Sequence, residues 1–330
     1  MSKKISESTV ILENETTMNF IKTAALVPLG VALSVSGLQA NEISSQQLDP
    51  LGDSVKQALA IKKTLPDAGW INAFEGTPDS YTLTREGETV PVALLKVLKV
   101  GDEIAVTDHH AMTLSLRGGL QLVKVTSANS PFKVDKTSQV SKGALWTWIE
   151  AHISKWRELT QSVATDDSAD TLTIPVLDNV KVPLTLVAGK RSLSVQWSGG
   201  TAPYKVLVKR RRKILESLTT KETAIDTKVI KFKRGKSYRV VVEDAQGQRF
   251  WGGFKAVSKA PSYPKELQDV PDDIRPVLQA TWLIFEANGK WIFEAYQQLG
   301  TSQPAQRLKT ALAQGIGKRD HRGPSARVKK

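Results

Sequence analysis

The stretch VALLKVLKVGDEIAVTDHHAMTLSLRGGLQLVKVTSANSPFKV, residues 92–134, has the clearest pattern in the chain. Within it, AMTLSLR at 111–117 alternates apolar with polar side chains. This period of two indicates a strand with one buried and one solvent-facing side. Gly118 and Gly119 follow directly and favour a chain reversal, because glycine reaches positive φ without steric cost. The stretch therefore predicts a β module built as strand, turn, strand, turn, strand.

The same stretch carries a motif. VGDEI at 100–104, followed by an alternating strand and a glycine turn, resembles the FecR domain, whose members repeat this pattern in envelope signalling proteins. The resemblance covers about residues 80–135. It implies envelope sensing through a membrane-protein partner. Residues 1–17 are shorter than the cytoplasmic anti-sigma segment of the iron-uptake regulators in that family, so direct sigma-factor control is not expected. The motif positions are Val100, Gly101, Asp102, Ile104, Leu114, Leu116 and Gly119.

Composition sets the class of protein. The chain has 330 residues, of which 40% are hydrophobic and 24% charged, as in an ordinary soluble protein of two or three domains. It has no cysteine, which excludes disulfides, thiolate catalysis and cysteine-ligated zinc. The net charge of +13 favours association with polyanions, among them nucleic acid, anionic lipid and cell-wall polymers.

An N-terminal leader sequence would determine which of these polyanions the protein meets. The segment MNFIKTAALVPLGVALSVSGLQA at 18–40 has a lysine, an apolar run and then small residues, which is the order of a secretory signal peptide. Cleavage is expected between Ala40 and Asn41, with delivery to the periplasm or cell envelope. The alternative is an uncleaved segment that anchors the protein in the inner membrane, although its apolar run is shorter than the roughly 20 residues that span a bilayer. Met18 is an alternative start to Met1.

A second β module is predicted from about 171 to 258. Trp197 falls in an early strand, Tyr238 opens a late one, and turn residues separate about seven short strands. Together these features resemble an immunoglobulin-like or fibronectin type III sandwich.

A basic run lies between two strands of this module. It is a candidate site for phosphate or carboxylate groups, and the alternative is a solvated loop. No aromatic residue interleaves the run, which argues against stacking on single-stranded nucleic-acid bases. The residues of the run are Lys209, Arg210, Arg211, Arg212 and Lys213.

Two regions have helical periodicity. GALWTWIEAHISKWRELT at 143–160 has apolar side chains at three- and four-residue steps, with Ser141 at the expected N-cap. Its tryptophans predict either a helix packed on the preceding sheet or a stripe exposed to a partner or membrane surface. WLIFEANGKWIFEAYQQL at 282–299 resembles a tetratricopeptide-like helical hairpin, which docks on the sandwich or on another protein. A further helix is predicted near Ser302.

The expected fold class is thus mainly β with α: a FecR-like β domain, an Ig- or fibronectin-like β-sandwich and a short α-helical module. The expected divisions are a disordered leader with signal peptide at 1–40, a polar helical lead-in at 41–69, the FecR-like domain at 70–140, an amphipathic helix at 141–160, a linker at 161–170, the sandwich at 171–258, the helical module at 259–316 and a basic disordered tail at 317–330.

Catalysis is not expected, and neither is a cofactor. The chain lacks GxSxG, HExxH, P-loop and dinucleotide-binding motifs. Two of its four histidines, His109 and His110, are adjacent, but neighbouring strand residues point to opposite faces and zinc needs three or four ligands. They are therefore interpreted as turn residues.

These observations favour an exported, non-enzymatic envelope protein that recognises a protein or envelope ligand in signalling. Its partner is then an inner-membrane or envelope protein. The alternative is a structural protein that binds anionic cell-wall polymer through the basic run and the basic tail. Nucleic acid is not an expected partner of an exported chain.

Overall fold

The structure is a computed structural model that describes residues 64–161, 171–178 and 183–316. These residues belong to one compact unit, Lys63–Lys330. The described part is mainly β-sheet with several helices, which confirms the expectation of a mainly β fold with α-helices. The leader with the cleavage position at Ala40 and Asn41, residues 41–63 of the lead-in, residues 162–170 of the linker and the tail at 317–330 lie outside the described residues.

The N-terminal β module, here called the first sandwich, contains eight strands in two four-stranded antiparallel sheets. The strands are β1 (Asp67–Phe74), β2 (Tyr81–Arg85), β3 (Glu88–Val90), β4 (Val97–Lys99), β5 (Glu103–Val106), β6 (Ala111–Leu116), β7 (Gln121–Thr126) and β8 (Phe132–Lys133). One sheet has the order β4-β1-β6-β7 and the other β3-β2-β5-β8. Ile71 and Leu114 from the first sheet and Leu83 and Ile104 from the second are fully buried in one shared cluster.

The alternating segment at 111–117 forms β6, but the expectation that its polar face is solvent-exposed was wrong. Leu114 and Leu116 point into the first sandwich. Ser115, on the other face, is also buried, and its hydroxyl donates to Asp273 Oδ2 at 2.8 Å. Both faces of this sheet are therefore covered at β1 and β6, the second face by the C-terminal region of the chain.

Two boundaries also differ from the expected ones. Asp67 already belongs to β1, so the last residues of the predicted lead-in are part of the first sandwich. Of the first strand of the β module predicted at 92–134, only Val97–Lys99 forms, because Leu95 before it has a φ of +56° and turns the chain. Such a conformation is uncommon for a side chain of this size and cannot continue a strand.

The second β module, here called the second sandwich, contains nine strands within residues 183–258. They are β9 (Leu184–Val187), β10 (Gly189–Arg191), β11 (Ser194–Gln196), β12 (Tyr204–Arg210), β13 (Lys213–Thr220), β14 (Ala224–Asp226), β15 (Ile230–Phe232), β16 (Ser237–Glu243) and β17 (Arg249–Val257). A five-stranded sheet has the order β13-β12-β16-β17-β9, in which β17 and β9 are parallel. The two-stranded ribbons β10-β15 and β11-β14 complete the module. Phe232 of one ribbon packs on Tyr238 of the sheet, with ring centroids 4.9 Å apart.

Aromatic side chains fix the connections of the second sandwich. The buried Trp197 packs edge-on against Tyr204, with ring centroids 5.3 Å apart. The hydroxyl of Tyr238, at the second position of β16, accepts the backbone N–H of Lys233 at 2.6 Å. This bond ties the strand to the turn five residues upstream.

Five α-helices are described: α1 (Ala144–Gln161), α2 (Glu266–Asp269), α3 (Arg275–Phe285), α4 (Ile292–Gln298) and α5 (Gln303–Ala313). Short 3-10 helices span Pro78–Ser80, Arg117–Gly119, Ser127–Asn129, Lys136–Ser138, Pro175–Leu177 and Glu286–Gly289. The helix predicted near Ser302 is α5, which follows that residue directly. None of the helices in the described ranges is long and apolar enough to cross a membrane.

Helix α1 packs inward, as one of the two interpretations of its tryptophans predicts. Trp146 and Trp156 expose only 3% and 2% of their surface. The helix contacts both the first sandwich and the C-terminal helices α3 and α5. Ser141 is not its N-cap, because the helix begins at Ala144 and the Ser141 carbonyl instead accepts the N–H of Gly143 at 2.9 Å.

The second sandwich and the C-terminal helices share a single hydrophobic core. Phe254 of β17 packs against Phe293 of α4, with ring centroids 4.9 Å apart. The predicted helical module therefore docks on the sandwich, which answers a question that the sequence left open.

Glu294 of α4 anchors this docking. It is 2% exposed, and its Oε2 accepts the backbone N–H of Val187 in the edge strand β9 at 2.8 Å. Its carboxylate also pairs with the guanidinium of Arg191 at 3.0 and 3.1 Å. The N–H of Thr185 in β9 donates to the Lys290 carbonyl at 3.0 Å. The helical region thus satisfies backbone donors that an open sheet edge would leave unpaired.

The first sandwich is joined to the same region through β1. Trp70 of β1 stacks on Trp146 of α1 at 6.1 Å, and the indole N–H of Trp146 donates to Asp67 Oδ2 at 2.9 Å. Asn72, also in β1, donates from Nδ2 to Asp273 Oδ2 at 3.2 Å. Contacts with α1 and with Asp273, just before α3, therefore hold the first sandwich against the helices.

We expect Glu294→Gln to lower the free energy of unfolding by about 1.5–3 kcal/mol, the range for a lost hydrogen bond to a charged group. The substitution keeps the shape of the side chain but removes the charge that pairs with Arg191, whose side chain is only 24% exposed. Urea denaturation followed by circular dichroism measures the change. Glu222→Gln is the matched control, since Glu222 is exposed. Equal stability of the two variants would contradict the anchoring role of Glu294.

Candidate functional site: the basic face of the second sandwich

The VGDEI motif forms a structural turn of the first sandwich. Asp102 is fully buried, and its carboxylate accepts two hydrogen bonds from Arg85, at 2.7 and 2.8 Å, and one from the Lys99 N–H at 2.8 Å. The bond to Asp102 raises the pKa of Arg85. Gly101 has a φ of +95° and donates its N–H to the Val134 carbonyl at 2.8 Å. The turn therefore links β2, β4, β5 and the end of β8.

The remaining motif positions are also structural. Ile104, Leu114 and Leu116 are buried in the core of the first sandwich, and Val100 packs against that core. At Gly119, a Cβ atom would lie 2.4 Å from Pro271 and 2.8 Å from Trp70, so only glycine fits where the first sandwich meets the C-terminal region. None of these positions presents a charged or polar side chain to solvent as a binding site would.

The predicted basic run lies at the tip of the β12–β13 hairpin. Lys209 and Arg210 end β12, Lys213 opens β13, and Arg211 and Arg212 form the turn between them, with a φ of +53° at Arg211. Arg211 and Arg212 are exposed. The hairpin carries the run to one end of the five-stranded sheet.

On the outer face of that sheet, the side chains of paired residues form rows that run across the strands. In one row, Glu243 of β16 lies between Lys205 of β12 and Arg249 of β17. Its carboxylate accepts a hydrogen bond from Arg249 Nη2 at 3.0 Å and forms an ion pair with Arg249 Nε at 2.9 Å. These contacts hold the pKa of Glu243 below its ordinary value. The charges of this row are therefore compensated.

The row nearer the hairpin tip has no such compensation. Lys209 lies directly opposite Arg239, and Gly253 completes the row. In the described part of the chain, neither cation forms an ion pair. Like charges placed opposite each other destabilise a sheet. A bound anion would remove this repulsion.

A groove of about 630 Å³ lies at this end of the sheet and is lined by Arg239 and Gly253 of the row. We call the cationic surface around it the basic face. Four cationic side chains line the groove and no acidic side chain does; they are Arg211, Arg212, Arg239 and Lys255. Gly253 lies in the groove, where a Cβ would make ordinary contacts of 3.5–4.0 Å. Two residues of the predicted run thus meet two cations from β16 and β17, whereas Lys209, Arg210 and Lys213 do not line the groove.

An aromatic ring from another strand lies beside the cluster. Trp251 is 56% exposed, and the guanidinium of Arg239 lies 4.3 Å from its ring centroid. Trp251 completes an apolar row with Leu207 and Val241. The run itself contains no aromatic residue, so only strand pairing brings Trp251 near. The alternation of RFWGGFKAV at 249–257, which places Trp251 on the side of Arg249 and Lys255, was the one signal in the sequence.

The three described histidines do not form a site. His109 and His110 lie in the turn between β5 and β6, with a φ of +64° at His109. His152 is buried in α1, donates from Nδ1 to the Trp148 carbonyl at 2.9 Å, and has its pKa lowered by burial. Across the described ranges, no group of three or more His, Asp and Glu side chains is placed to hold a metal ion. His321 lies outside these ranges.

Comparison with known proteins assigns no family to the chain. No protein-family model matches it, and no curated protein matches it either. The role of the basic face therefore has to follow from its charge and shape.

We expect Lys209→Thr to stabilise the ligand-free protein at low ionic strength by about 0.2–1 kcal/mol, the range for cross-strand pairs. The substitution removes the repulsion between Lys209 and Arg239. The gain should shrink at high salt, because salt screens exposed charges. Urea unfolding at two salt concentrations measures it.

Lys205→Thr is the matched control, since it removes the same charge from the same strand but opposite Glu243. It should give no gain. A similar gain from both variants would attribute the effect to net charge and not to the uncompensated row.

Proposed function

We propose that this chain is an exported binding protein of the bacterial envelope that holds an anionic polymer on its basic face, without catalysis. The supporting observation is the groove lined by Arg211, Arg212, Arg239 and Lys255 with no acidic side chain. Guanidinium groups bind carboxylate and phosphate oxygens through paired N–H donors. Cell-wall peptidoglycan, with its peptide carboxylates, presents such groups at repeated intervals.

The shape of the basic face favours a polymer over a small molecule. The cations come from one hairpin and two further strands, so they follow the sheet surface and do not converge on one point. Trp251 offers an exposed ring beside them, against which the apolar side of a sugar ring can pack. Single-stranded nucleic acid also combines phosphates with stacking, but the predicted signal peptide places the protein away from it.

The proposal includes the finer architecture expected from the sequence: a FecR-like first sandwich, an Ig- or fibronectin-like second sandwich and a tetratricopeptide-like pair formed by α3 and α4. The bond from the Lys233 N–H to the Tyr238 hydroxyl supports the second assignment, because such sandwiches have a tyrosine that bonds to backbone a few residues upstream. The export step is supported by the leader sequence at 18–40.

A second candidate function is signalling through a protein partner, as the FecR resemblance implies. Its supporting observation is the edge strand β7, which pairs only with β6 among the described strands. Leu120 and Leu122 on this edge expose 82% and 59% of their surface. An unpaired edge with exposed apolar side chains can accept a strand from another protein.

Cosedimentation of the purified protein with peptidoglycan tests the first function. We expect binding at low salt that is released at high salt, since the contacts are between exposed charges. The double variant Arg211→Gln with Arg212→Gln should bind about tenfold more weakly, because two exposed ion pairs are lost. Gly253→Val, which fills the groove without changing any charge, should also weaken binding.

The matched control is Lys133→Gln with Lys142→Gln, two exposed lysines outside the basic face. If both double variants weakened binding equally, the effect would come from net charge, and the assignment of binding to the basic face would be contradicted. Tighter binding to a single-stranded oligonucleotide than to peptidoglycan would contradict the proposed ligand. A crosslink to one inner-membrane protein would favour the second function instead, if the crosslink is insensitive to salt and is lost in the Leu122→Lys variant.

A further inference from the structure

A second groove lies between the first sandwich and the helices α1 and α5. Its volume is about 500 Å³, within the range of roughly 300–1,000 Å³ that is typical of small-molecule sites. Phe74 and the loop at 92–94 form one wall, and Trp156 of α1 contributes a further apolar surface. Arg157 of α1 and Arg307 of α5 bring positive charge to this apolar space.

The two guanidinium groups have unused hydrogen-bonding capacity. Arg157 donates only one long bond of 3.5 Å, to the Leu95 carbonyl, and its buried Nε has no partner. Arg307 likewise donates one bond of 3.5 Å, to the Thr160 carbonyl at the end of α1. Within the described chain, neither forms an ion pair, and no acidic side chain lines the groove. Each guanidinium carries several N–H donors, so most remain free for a ligand.

Other contacts hold the walls of the groove in place. Gln303 of α5 binds both backbone groups of Phe74: its Oε1 accepts the N–H at 2.8 Å and its Nε2 donates to the carbonyl at 2.6 Å. The indole N–H of Trp156 donates to the Pro304 carbonyl at 3.1 Å. The groove is therefore preformed and does not depend on the arginines for its shape.

The loop that forms one wall has a strained backbone. Leu95 directly follows residues 92–94 and has a φ of +56°, although it is fully buried. Left-handed conformations of residues other than glycine cost free energy and are concentrated at ligand-binding and switch regions. Here the strain directs the Leu95 carbonyl to Arg157 and keeps the apolar loop facing the groove.

We propose that this groove binds a small organic carboxylate whose apolar tail lies along Phe74, the loop at 92–94 and Trp156 and whose carboxylate pairs with Arg157 and Arg307. Charge complementarity supports an anion, since the lining holds two cations and no acid. The apolar wall supports a tail and argues against a free inorganic anion. The pKa of Lys96 is lowered, first by burial and then by the positive charges of Arg85 and Arg157, so the surroundings of Arg157 carry positive charge.

This site is independent of the basic face. The two grooves share no lining residue. Loss of polymer binding and loss of carboxylate binding can therefore be measured separately on the same preparation.

Isothermal titration of the full chain with octanoate tests the proposal, with 1-octanol as the neutral probe of equal length. We expect saturable binding of one octanoate per chain and at least tenfold weaker binding of 1-octanol. Arg307→Gln should weaken octanoate binding by about tenfold or more, the effect of losing one charge-assisted contact in a partly desolvated site. Arg307 is exposed, so its loss should leave the fold intact.

Two further variants complete the test. Lys142→Gln removes an equal charge from an exposed position outside the groove and should change the octanoate affinity less than twofold. Thr310→Trp keeps every charge but places a large ring in the groove, so it should also weaken octanoate binding. Equal affinity for octanoate and 1-octanol, equal effects of Arg307→Gln and Lys142→Gln, or the absence of saturable binding would each overturn the proposal.

Discussion

The carboxylate of Glu294 joins the C-terminal helices to the second sandwich, and neither part is complete without the other. It lies at 2% exposure and accepts hydrogen bonds from the backbone of β9 and from Arg191. A buried carboxylate is costly unless it is paired and hydrogen-bonded, so α4 must remain beside the edge of the sheet. The edge in turn needs the helix, because its N–H groups would otherwise lack acceptors. This mutual requirement makes the helices part of the second sandwich.

Most other features depend on that arrangement. Docking of the helices brings α5 beside α1. The first sandwich then packs on α1 through Trp70 and on α5 through the backbone of Phe74, which is hydrogen-bonded to Gln303. The groove with Arg157 and Arg307 exists only where these three parts meet. The inner face of the five-stranded sheet is used for the shared core. Its outer face is left to solvent, and there the charges are free to serve binding.

The two ends of that outer face differ in a way that folding alone does not explain. One row pairs Lys205 and Arg249 with Glu243, as a surface selected for stability would. The other row places Lys209 opposite Arg239 without a carboxylate. Proteins tolerate local destabilisation of this kind at functional sites. The contrast between two rows of one sheet is therefore the strongest structural argument for an anionic ligand.

Local periodicity was sufficient to predict the fold class and several elements. The alternation around Leu114 gave a strand, and the three- and four-residue spacing of apolar residues in the segment at 143–160 gave a helix. Contacts between distant residues could not be predicted. Glu294 looks in the sequence like any charged residue of a helix, and its partner Val187 lies 107 positions away. The basic run at 209–213 was visible, but Trp251 and Lys255 joined it only through strand pairing.

Hydrogen exchange followed by mass spectrometry at increasing urea concentration tests the central claim most directly. If the helices complete the second sandwich, peptides from β9, β16 and α4 should lose protection in one cooperative event, with the same free energy and the same dependence on urea. Exchange of α3, α4 and α5 at clearly lower free energy, while β12 and β16 stay protected, would contradict the account. It would show a helical module that only rests on an independently stable sandwich.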